Sequence, residues 1–128
     1  PDFARAYYNR AYTYKKFPGS GGGTFGYISR MRADLDTAIK LNPNFSEAYI
    51  ERGRSLLSWL PIAVDGYKEE DLVKIRAAFA DFDKAVKIDP KNAEAYEGRA
   101  SSSEKLGKKD SALADYSKAI ELNPNLAT

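Results

Sequence analysis

The 34 residues AEAYEGRASSSEKLGKKDSALADYSKAIELNPNL, positions 93–126, recur twice upstream with insertions. A period of that length dictates a string of like units, each burying a face against its neighbour, in place of one central core. Tyr7, Tyr49 and Tyr96 open the units, and Ala38, Ala85 and Ala119 each stand five residues before Pro43, Pro90 and Pro124. The next Tyr follows Pro43 and Pro90 after six residues. Tyr to Pro spans 36, 41 and 28 residues, so the first unit carries eight extra residues and the second 13.

Apolar positions at helical spacing predict two helices per unit: about Ala4–Lys16 and Tyr27–Leu41, Ser46–Trp59 and Tyr67–Ile88, Ala93–Leu106 and Asp110–Leu122. Pro18 and Pro61 stop the first helices, and Gly107 suits a helix end. The additions lie between the helices of units one and two. Gly19 to Gly23, native or engineered, has almost nothing to bury and is expected to be mobile; with no Gly-Lys-Ser or Gly-Lys-Thr after it, it is no phosphate loop. The second addition holds Trp59, Leu60, Ile62, Val64, Tyr67 and Leu72, and is expected to fold back and pack. Glu69, Glu70 and Asp71 then sit at a helix start, where the dipole favours carboxylates.

Lys and Arg number 20 against 18 Asp and Glu, too balanced to draw nucleic acid or an anionic membrane, so neither is expected as a partner. No His and no Cys are present, which removes the usual triads and most transition-metal sites; no catalytic residue, metal ligand or cofactor is assigned. The lack of Cys suits a reducing compartment, so a cytoplasmic location is favoured though not fixed.

Tyr96, Ala100, Ala112, Tyr116 and Pro124 give the unit a pattern that resembles the tetratricopeptide repeat. Tyr49, Gly53, Leu56, Ala78, Phe82 and Pro90 follow it in the second unit; Tyr7, Ala11, Tyr14, Met31, Leu35 and Pro43 follow it more loosely in the first. The resemblance implies an all-α, right-handed superhelical solenoid of three antiparallel helix pairs, one domain over 1–128 with repeats at about 4–45, 46–92 and 93–126. Both ends fall in repeat phase, as expected of a piece of a longer array. It also implies a non-enzymatic module that holds a partner peptide or helix on its concave face; the alternative is an architectural segment of a longer or self-associating scaffold.

Helical register places Arg5, Tyr8, Asn9 and Tyr12 on that face in repeat one, Ile50, Glu51 and Arg54 in repeat two, and Glu94, Glu97 and Ser101 in repeat three, with Glu104 beyond. Trp59 is a candidate accessory contact. Members that grip acidic chaperone tails use Lys, Asn and Arg where this chain has Tyr8, Tyr12, Glu51, Glu94 and Gly98, so that specialisation is not expected. Arg10, Arg52 and Arg99 follow each Tyr by three residues, and Asp34, Asp81 and Asp115 precede each Pro by nine. Such regularity predicts structural ion pairs. With no following helix, Ala112, Leu113, Tyr116 and Ile120 are expected to form an exposed apolar strip that supports end-to-end self-association.

Overall fold

The computed structural model describes residues 2–17 and 26–127. Six helices follow one another: α1 (Phe3–Lys16), α2 (Gly26–Leu41), α3 (Ser46–Leu57), α4 (Glu69–Ile88), α5 (Ala93–Lys105) and α6 (Lys109–Leu122), then a 3-10 turn over Pro124–Ala127. No strand occurs among the described residues. Helices pack as the pairs α1 with α2, α3 with α4 and α5 with α6, and each pair meets the next through α2 with α3 and α4 with α5. It is an all-α helical repeat. The glycine stretch 19–23 lies outside the described residues.

The turn between pairs is built the same way each time. Asn42, Asp89 and Asn123, each immediately before a Pro, accept a side-chain hydrogen bond from the backbone N–H two residues on, at 3.1, 3.2 and 3.2 Å. Proline cannot continue the helix, and the Asx side chain closes the turn in its place. The spacing from Pro43 to Tyr49 is also a contact, since the Tyr49 hydroxyl donates to the Pro43 carbonyl at 3.0 Å.

The core is strung out along the repeats. One cluster gathers Met31, Leu35, Ala38, Phe45 and Ala48 around α1 and α2; a second gathers Ile50, Ala78, Phe82, Ala85, Tyr96 and Ala119 around α3 to α6, and Ile39 packs against both. Phe82 is the pin of the second cluster. Its ring fills the space above Gly53 and Gly98, where an added Cβ would lie 2.8 Å and 2.2 Å from ring atoms. Those two glycines let α3 and α5 close on one aromatic ring.

Two expectations change here. Residues 60–68 form no helix, and α4 begins at Glu69, two residues later than the periodicity suggested. Within this segment Ile62 is 93% exposed and Val64 86%, whereas Leu60, Tyr67 and Leu72 are half-buried, so the insert packs only in part. Asp65-Gly66 directs the chain outward, with Gly66 at φ +96°. The last helix also differs: Leu113 and Ile120 are exposed, but Ala112 is buried inside its own repeat and Tyr116 is half-buried.

Candidate partner-binding groove

Each repeat Arg forks onto the Asp of its own second helix. Arg10 holds Asp34 through two bonds of 2.7 Å, Arg52 holds Asp81 at 3.0 and 2.8 Å, and Arg99 holds Asp115 at 2.8 and 2.8 Å. Each guanidinium also lies over its repeat Tyr, 5.5 to 5.6 Å from the ring centre of Tyr7, Tyr49 or Tyr96. The third nitrogen ties repeats together: Arg52 reaches back to Asp36 at 2.9 Å and Arg99 to Asp83 at 3.0 Å. Asp36 and Asp83 stand seven residues before Pro43 and Pro90, a regularity available in the sequence that the pairing argument missed.

The electrostatics follow the contacts. Hydrogen bonds to Asp34, Asp81 and Asp115 hold the three guanidiniums further from deprotonation than free Arg. Burial pushes the Asp81 carboxyl up despite its Arg52 bonds, whereas the hydrogen bond from Lys87, with Arg99 beside it, lowers Asp83. These pairs are structural supports. They fix the angle between the helices whose inner faces form the groove.

That inner face carries a continuous chain of contacts. Arg5 lies 4.6 Å from the Phe45 ring centre, Tyr8 packs on Phe45 at 5.0 Å and on Tyr12 at 6.3 Å, and Lys15 lies 5.6 Å from Tyr12. Lys15 then binds Glu51 at 2.8 Å, Glu51 binds Arg54 at 3.0 Å, and Arg54 reaches Glu94 at 3.5 Å. Burial, reinforced by Glu51 and Glu47, pushes the Tyr8 hydroxyl up to about 12. The Arg54 and Glu94 pair divides the groove into two recesses. One of about 320 Å³ lies among Tyr8, Asn9, Tyr12 and Glu51; the other, of about 300 Å³, lies among Leu57, Glu97, Gly98, Ser101 and Tyr116 with Phe82 behind.

Register therefore brings Tyr8, Asn9, Tyr12, Glu51, Arg54, Glu94, Glu97 and Ser101 to the walls of adjoining recesses, with Arg5 stacked at one end. Ile50 is a correction. Only 2% exposed, it belongs to the core and offers nothing to a partner. Glu51 lines the groove but is itself buried and held by two cations, so it acts as a support. Trp59 lines neither recess and stands half-exposed beyond α3. Sequence register missed Gly98 and Tyr116; a glycine inside a helix costs about 1 kcal/mol and was the available sign of a close approach.

Residues 93–126 match the family model described as tetratricopeptide repeat. The other two helix pairs share its Tyr, Arg and Asp contacts. Residues 93–126 form a tetratricopeptide repeat, and the chain as a whole has the fold of tetratricopeptide domains. Among solved structures, the Arabidopsis OM64 TPR domain is 24% identical with a TM-score of 0.73, covering 95% of this chain and 84% of that one. The first TPR of Spaghetti (RPAP3), bound to the HSP90 peptide SRMEEVD, is 20% identical with the same TM-score of 0.73 and covers 95% and 80%. MamA is 21% identical with a TM-score of 0.68, and the alignment covers 97% of this chain and 60% of MamA. At these identities the likeness concerns the fold. A search of curated protein sequences finds no match. Among the described residues, no group of three or more Asp or Glu is placed to hold a metal ion, and no helix is long and apolar enough to cross a membrane.

Proposed function

We propose that this tetratricopeptide domain is a non-enzymatic interaction module that seats a segment of a partner protein on the inner face of α1, α3 and α5. The observation that carries the reading is the pair of adjoining recesses, each about 300 Å³, joined across the Arg54 and Glu94 pair. Their walls combine aromatic rings with polar groups, the composition that anchors protein interfaces. One structural neighbour carries the peptide SRMEEVD. An acidic tail of that kind would meet Glu94 and Glu97 here, so a different sequence class is the expected partner.

The test is an array of randomised 12-residue peptides probed with the dye-labelled chain. Retention should fall about tenfold when Tyr8 and Tyr12 are both replaced by Ala, with unchanged circular dichroism. Retention that ignores this double substitution would place recognition elsewhere.

A further inference from the structure

The carboxylates at the repeat-three end of the groove are not paired like those elsewhere on the inner face. Glu51 is held by Lys15 and Arg54, and Glu94 by Arg54, but Glu97 and Glu104 have no ion-pair partner among the described residues. Both belong to α5, seven residues apart and so on one helical face about 10 Å from each other. Between them stands Tyr116. It borders the recess that holds Glu97 and also a second recess of about 220 Å³ formed with Glu104, Lys109, Ala112 and Leu113. Burial raises the Tyr116 hydroxyl, and the negative charges of Glu104 and Glu97 add to the shift against the opposing hydrogen bond with Ser101.

The rest of the recess is suited to a long side chain. Leu57 and the Tyr116 ring supply apolar wall, and Gly98, which must lack a Cβ to clear Phe82, leaves the floor open. Arg54 also borders this recess but is answered by Glu51 and Glu94, so an aliphatic stem along the apolar wall would carry its charged head to Glu97. The positions equivalent to Glu94, Glu97 and Glu104 in repeat one are Arg5, Tyr8 and Lys15, so the groove has a basic and aromatic end and an acidic end.

We infer that the recess between α3 and α5 accepts an Arg or Lys side chain of the partner segment, held by Glu97 with its stem against Leu57 and Tyr116. The inference rests on the groove reading above and names the chemistry of its occupant. It opposes the charge that an acidic tail would bring.

Three sets of the randomised 12-residue peptides, with one fixed position as Arg, Gln or Glu, test it. Retention of the Arg set should exceed that of the Gln set by about tenfold and the Glu set by more, and the preference should fall in raised salt. The variant Glu97→Gln should remove the preference while leaving the melting temperature unchanged, since that carboxylate supports no described ion pair, whereas Glu104→Gln, outside the recess, should keep the preference. Equal retention of the Arg and Gln sets, or a preference that survives Glu97→Gln, overturns the inference. If all sets then still depend on Tyr8 and Tyr12, the groove reading stands without it. If no set is retained, both fall.

Discussion

An arginine near a core is stabilising only while its charge is answered, and the three repeat arginines differ in how far that holds. The Arg52 side chain is 28% exposed and Arg99 21%, each with three carboxylate contacts, whereas Arg10 is 60% exposed and has two. Asp81→Ala should cost about 2–4 kcal/mol, because Arg52 keeps only the exposed Asp36; Asp36→Ala should cost less than about 1 kcal/mol. Chemical denaturation of both variants checks this, and equal losses would refute the distinction. Gly98→Ala is expected to be worse than Gly53→Ala, since its Cβ would sit 2.2 Å from the Phe82 ring instead of 2.8 Å. A melting temperature that falls no further for Gly98→Ala would show that the ring shifts freely. Tyr8 sets an alkaline limit. Its folded value, pushed up to about 12 from the ordinary 10.0, means that its contribution is fully present below pH about 10 and is lost as pH rises towards 12. Tyr8→Phe should therefore lose less stability than the parent over that interval, as thermal melts at each pH would show.

Helices and turns were legible in the sequence wherever one residue type had one physical job. Pro after Asn or Asp closed each inter-repeat turn, and apolar spacing gave five of the six helix starts to within a residue. The Arg and Asp positions could be read because a charge that recurs at a core-facing position needs a partner; the cross-repeat Asp36 and Asp83 could not be derived from one unit alone. The insert after α3 was misread for a different reason. Composition says what would gain from burial, but not which side chains obtain it: Leu60 and Tyr67 are half-buried while Ile62 and Val64 stay exposed. Among the described residues the amides of 62–67 make no backbone hydrogen bond. They should exchange within seconds in a hydrogen-exchange measurement, unlike the α4 amides from Ile75 onward. Protection across 62–67 would restore the packed insert. The groove shows the same limit: register placed Ile50 on the inner face, but only the packing of α3 between its neighbours shows that this side chain points into the core.

Across the whole molecule the Arg and Asp ladder has a direction, because Arg52 and Arg99 each reach back to the second Asp of the repeat before. That carboxylate position reads Asp36, Asp83 and then Ser117. At the opposite face Arg10 has no such backward partner among the described residues, and Phe3 is 62% exposed where its counterpart Phe45 is 4% exposed. The scaffold reading, in which copies stack as repeats do within the chain, would set Arg10 of one copy beside Ser117 of the next and cover Leu113 and Ile120. Ser117→Asp is then the discriminating change. It is exposed, so it should leave the monomer's stability within about 0.5 kcal/mol. If end-to-end stacking occurs in this register, it should tighten association about threefold or more, and Arg10→Ala should cancel the gain. Light scattering over a concentration series measures both. An unchanged association constant in Ser117→Asp would rule out stacking in the ladder register.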